Sequence, residues 1–247
     1  MNIVVCISSV PDTTSKINFN DDNTNFDSNG IQFVINPYDE FGLTKAIMIR
    51  NSFGGSITVI TVGEVSVEPV MRKALAIGAD KAVRINSKPK DSYSVASSIV
   101  NYLKTNPADL IITGRESIDY NGGAVPGMIA ELLNLPLVNA CIGIDINEKT
   151  ATATREIDGG KETICTSLPL LIAGQKGLVQ EDELLIPNMR GIMSARTKPL
   201  EVIESDTSVL VNSKSFEKPP EKQACRLVDS SNVEELVQLL HEEAKVI

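Results

Sequence analysis

The chain has 247 residues, 42% hydrophobic and 22% charged, with 23 basic and 32 acidic side chains giving a formal net charge of -9. That balance supports a buried core, excludes a disordered chain, and excludes nucleic acid as a partner held by a basic phosphate-binding surface. Four scattered cysteines without a Cys-x-x-Cys pair, one histidine (His241) and no run near the roughly 20 apolar residues of a membrane span point to no metal, no membrane span and free thiols in a cytoplasmic setting, and Met1–Val5 has no basic leader.

Short runs rich in Val and Ile occur at residues 3–7, 57–62, 81–85, 110–113 and 170–173. They lack polar alternation, which suits strands covered on both faces. Helical spacing of apolar residues lies between them, at 39–50, 68–77 (closed by Gly78), 92–104 and 127–133. The alternation predicts an α/β fold with a doubly wound, mostly parallel, Rossmann-like sheet and helices on both sides. After Pro136, residues 141–146, 150–157 and 162–167 are β-rich, and Asp158-Gly159-Gly160 is a hairpin turn, so a small antiparallel extension is expected. Residues 201–230 are polar and contain Pro219-Pro220, which reads as an extended arm. Ser231 and Glu234 stand at capping-box spacing before an apolar face of Val233, Leu236, Val237 and Leu240, so the chain is expected to end in an amphipathic helix. The division is therefore 1–200 for the α/β domain and 201–247 for the extended C-terminal arm and terminal helix.

The first strand is followed by Cys6-Ile7-Ser8-Ser9-Val10-Pro11-Asp12, not by Gly-x-Gly-x-x-Gly, and no Walker A pattern occurs. The Gly-rich segment comes later, from Gly114 and Arg115 to Gly127, where a strand ends and a helix begins. Small residues there let backbone amides approach an anion, and the helix N-terminus adds partial positive charge, which suits a phosphate. The same glycines also serve a plain turn. Ile35-Asn36-Pro37-Tyr38-Asp39-Glu40 stands before the first helix, where Asn36 or Asp39 can cap and Pro37 sets the entry. No nucleophile and base lie together, so the chain reads as a carrier or binding protein rather than an enzyme.

Five segments, Val34 to Phe41, Lys73 to Asp80, Gly114 to Gly127, Arg155 to Glu162 and Pro187 to Met193, together resemble the beta subunits of electron transfer flavoproteins (the FixA family). They stand in family order and reach to about Pro199. The resemblance implies half of a heterodimer whose alpha subunit holds the redox-active FAD. This subunit would bury an adenine nucleotide, AMP or, in electron-bifurcating members, a second FAD. By position, the nucleotide would touch Cys6, Asn36, Pro37, Tyr38, Asp39, Val62 and Gly63. It would also touch Gly114, Arg115, Ser117, Ile118, Asp119, Asn121, Gly122, Gly123, Ala124, Val125, Pro126, Gly127 and Met128, with amides of Gly122 to Gly127 on the phosphate. Tyr38 and Thr13 would face the flavin of the alpha subunit.

The resemblance further implies a loop that anchors partner dehydrogenases, such as acyl-CoA dehydrogenase, through an exposed leucine, with electrons passing on to a quinone oxidoreductase. Leu178 aligns best with that anchor, with Leu184 or Leu185 as the alternative. A different reading of the whole chain is a stand-alone ATP- or AMP-binding stress-type module, against which the long arm and terminal helix argue.

Overall fold

The computed structural model describes residues 1–222 and 224–247. In chain order its elements begin with β1 (Asn2–Cys6), β2 (Ser9–Pro11), β3 (Phe33–Ile35), α1 (Pro37–Phe53), β4 (Ser56–Val62), α2 (Glu68–Ile77), β5 (Lys81–Asn86), α3 (Ser92–Thr105) and β6 (Leu110–Gly114). They continue with α4 (Val125–Leu133), β7 (Leu137–Asn147), β8 (Thr150–Ile157), β9 (Gly160–Ser167), β10 (Leu170–Gly174), α5 (Met189–Ala195), β11 (Leu200–Glu204) and α6 (Val233–Glu242). Nine strands form one sheet in the order β11-β5-β4-β1-β6-β10-β7-β8-β9, parallel from β11 to β7, and β2 and β3 form a separate antiparallel pair.

The unbroken apolar strands are the ones covered on both faces. Ile3 and Val5 join Leu43 and Ala46 of α1 and Met71 and Leu75 of α2, while Val4 and Cys6 join Ile99 and Leu103 of α3 and Ile129 of α4. Each residue of β6 and β10 is buried. The antiparallel extension belongs to the same sheet, because the long β7 pairs with β10 through its first half and with β8 through its second. Ala140, at φ 52°, sits where the strand changes partner.

Two boundaries differ from the sequence reading. Leu200–Glu204 is a strand paired in register with β5, so the arm starts at 205 rather than 201. Only Leu200 and Ile203 of that strand turn inward, and an edge strand with one covered side shows too few apolar residues to stand out by composition. The terminal helix is capped by Asn232, whose side chain accepts the Glu235 amide, while Ser231 turns back to Asp229. No helix among the described residues is long and apolar enough to cross a membrane.

Candidate functional site

From β1 the sheet grows outward through β4 and β5 on one side and through β6 and β10 on the other. The loops leaving β1 and β6 therefore part, and the crevice between their carboxyl ends is where open α/β sheets bind ligands. The first turn of α1 closes the floor of that crevice. Asp39 lies there, 3% exposed, with Oδ2 accepting the Ser8 amide at 2.7 Å and Oδ1 the Gly114 amide at 2.8 Å. One carboxylate thus ties the exit of β1 to the exit of β6. Burial pushes its carboxyl from 3.8 up to about 7; the amides of Ser8 and Gly114 pull it down, and Asp119 adds to the rise. Burial, and then the charge of Asp39, also hold the buried Cys6 thiol well above the ordinary range, so it is no nucleophile at neutral pH.

Gly114 makes this joint possible. A Cβ there would collide with the Asp39 carboxylate and meet the Tyr38 Cβ at 2.8 Å and Asn36 Nδ2 at 3.1 Å, so only a hydrogen fits. Asn36 stands at the cap position of α1 but makes no capping bond. Its side chain crosses to the next loop instead, Nδ2 donating to the Glu116 carbonyl at 2.9 Å and Oδ1 accepting the Ile118 amide at 3.3 Å. Pro37 opens the helix as expected.

Ser117 and Gly122 exchange both backbone bonds, at 3.1 and 3.2 Å, so residues 118–121 form a tight tip, with Asn121 left-handed at φ 51°. The Gly122 amide is consequently taken, which corrects its expected role on a phosphate. Pro126 has no amide. The donors that remain are those from Gly123 to Gly127 at the start of α4, where the cap residue Ala124 brings no side-chain acceptor.

Above the strand ends opens a cleft of about 1220 Å³. It brings together Pro37, Tyr38, Gly63, Ile118 and Asp119 with Thr13 and Tyr120. Cys6, Asn36 and Asp39 are buried and take no part in its wall, and Gly122 to Met128 lie outside it. Arg115 reaches across the Tyr38 ring, its guanidinium carbon 5.7 Å from the ring centre, within cation–π range. Its Nη1 donates to Gln175 Oε1 at 2.9 Å and its Nη2 pairs with Glu116 at 3.3 Å. Arg84, 6% exposed, stiffens the opposite lip: Nη1 donates to the Gly63 carbonyl at 3.1 Å and Nε pairs with Glu68 at 3.1 Å.

A family model described as "Electron transfer flavoprotein domain" matches residues 24–208. The chain is 38% identical to the electron transfer flavoprotein subunit beta of Bacillus subtilis (strain 168) across the whole of both proteins. It is 32% identical to the protein of the same name from Syntrophomonas wolfei, over 91% of this chain and 88% of that one. Protein FixA of Azotobacter vinelandii is 30% identical over 93% of this chain and 89% of its own length.

The chain belongs to the electron transfer flavoprotein beta-subunit family. As a flavoprotein subunit it has its role in electron transport, and the family pairs it with an alpha subunit.

The loop after β10 does not present the leucine that the family alignment favoured. Leu178 is 4% exposed and packs on Gly174, where any Cβ would clash with its Cδ2. Leu184 is half-buried against the core. The outward apolar side chains are Leu185 at 39%, Ile186 at 81% and, on the short α5, Met189 at 75%, Met193 at 68% and Ile192 at 43%. Sequence reasoning missed Ile186; its available signal is an apolar residue directly before Pro187, whose ring holds its backbone extended and outside any helix.

Proposed function

We propose that this chain is the nucleotide-holding half of a heterodimeric electron carrier. It takes electrons from dehydrogenases such as an acyl-CoA dehydrogenase and delivers them to a quinone oxidoreductase or another acceptor. The observation that carries the reading is the Asp39 joint: a buried carboxylate and a glycine without room for a side chain fix the two strand ends at the switch point beneath a roomy cleft.

The residues fit an adenine nucleotide, AMP or a second FAD. The cleft supplies aromatic and apolar wall for a planar ring, and the α4 amides, outside that wall but at the same carboxyl end of the sheet, supply anion donors. Asn36 and Asp39 act through the backbone they hold, and Tyr38, backed by Arg115, presents its ring to the cleft where the alpha-subunit flavin would stand. The bound FAD supplies the electron chemistry; this chain's groups bind, orient and exclude water. A nucleotide so held stabilises the fold by mass action. Ile186, as a projecting apolar side chain, is the docking anchor for dehydrogenases, in place of Leu178.

Co-expression with the alpha subunit, followed by an absorbance spectrum and chromatography of the released nucleotides, tests this. One FAD and one AMP per heterodimer establish a simple carrier, and two FAD a bifurcating one. A colourless monomer carrying ATP refutes the reading and favours the stress-type module.

A further inference from the structure

The chain has six phenylalanines and no tryptophan. Five of the six, Phe19, Phe26, Phe33, Phe41 and Phe216, line the one cleft at the strand ends. The sheet core is built mainly of Ile, Val, Leu and Ala; Phe41 is shared between that core and the cleft, and the other four of these rings stand at the cleft outside the core. Four of these phenylalanines come from residues 19–41, near the cleft in sequence. Phe216 comes from the arm, 175 residues after Phe41 by the difference of their numbers.

The arm is fastened along its route. Thr207 Oγ1 donates to the Ser94 carbonyl at 3.1 Å, and the amides of Leu210 and Val211 both donate to Asp91 Oδ2, at 2.7 and 2.9 Å. The Phe216 amide donates to the Asn23 carbonyl at 2.8 Å, and Lys218 Nζ to Asn18 Oδ1 at 2.7 Å. Between 211 and 222 every side chain is exposed except Phe216. It stacks on Phe19 with ring centres 5.3 Å apart and planes 18° from parallel.

We propose that Phe216, stacked on Phe19, is a ligand-contacting wall for a planar heteroaromatic ring, so that the C-terminal arm is part of the binding site. The proposal rests on the nucleotide-holding reading above. Flat apolar walls select planar rings because stacking needs a face and no particular hydrogen-bond pattern, and removing one aromatic partner weakens ring binding by about tenfold or more. Two rings share this chemistry: the adenine of a nucleotide held by this subunit, and the isoalloxazine of the FAD held by the alpha subunit. The fastenings to Asp91 and Asn23 hold the wall in place before any ligand arrives.

The test uses the purified heterodimer with Phe216→Leu, which keeps apolar bulk for the arm but removes the ring face, and Phe216→Trp, which restores a face. AMP retention after gel filtration and the affinity for added AMP report on adenine; FAD retention and flavin fluorescence report on isoalloxazine. The expected result is a loss of about tenfold or more in one of the two for the Leu variant, recovered by Trp, with the melting temperature of nucleotide-stripped protein unchanged. If the wild type holds nucleotide and the Leu variant keeps both AMP and FAD as tightly, Phe216 is only packing and the proposal is overturned. A loss that Trp does not recover also overturns it, because bulk rather than a ring face then matters. A wild-type heterodimer that purifies free of any nucleotide instead refutes the functional reading beneath it.

Discussion

Asp39 predicts an unusual dependence of stability on pH. Its carboxyl rises from 3.8 to about 7, chiefly because burial disfavours the charged form. The folded state therefore binds a proton that the unfolded state has released throughout the window between those values. Stability falls as pH rises whenever the native state holds more protons, so this group's contribution is fully present below pH 3.8 and is lost as pH rises through about 7. At about 1.4 kcal/mol for each pH unit, the whole window is worth about 4 kcal/mol. Asp39→Asn removes the titration while keeping the shape. The assay is denaturant unfolding of wild type and variant from pH 5 to pH 8, taking the difference at each pH so that the other groups cancel. Wild type should gain on the variant by about 3 kcal/mol as pH falls across that range, the share of the window above pH 5. A flat difference, or one that grows toward pH 8, refutes the reasoning, for it would mean that the Ser8 and Gly114 amides outweigh burial. The same pH trend should appear in nucleotide retention if the strand ends loosen together.

Four further substitutions have expected outcomes from the structure. Gly114→Ala should cost about 1–3 kcal/mol and lower nucleotide retention, since the added methyl displaces Asp39, Tyr38 or Asn36; chemical denaturation and bound-nucleotide analysis check both. Leu178→Ala should cost about 2–5 kcal/mol in unfolding free energy with dehydrogenase docking otherwise unchanged, whereas Ile186→Ala should leave the melting temperature alone and raise the KM of a partner dehydrogenase for the carrier about tenfold. Arg84→Met should free the Gly63 carbonyl and cost about 1–3 kcal/mol, with faster amide hydrogen exchange confined to the Gly63 turn and β5 as the local readout.

The sequence by itself determined the parallel sheet, the helices on both faces and the Asp158-Gly159-Gly160 hairpin. These follow from apolar periodicity and turn chemistry, which act over a few residues. It also placed the Gly-rich loop and the Asn36 to Asp39 segment at the ligand end of the sheet. Which atoms do the work was decided only by the tertiary structure. Asn36 looks like a cap, yet its amide group serves Glu116 and Ile118, some 80 residues away. Gly122 looks like a phosphate donor, yet Ser117 takes its amide. Leu178 and Ile186 are equally apolar on paper, and only the close approach of Gly174 decides that the first packs inward and the second projects. Phe216 sits in a stretch whose composition reads as linker, and a polar arm reveals one half-buried ring only when the chain has folded back to meet it. Local pattern sets the element because its energetics are local. Partner choice across many residues depends on which loops the sheet order brings together, and that information is carried by the fold.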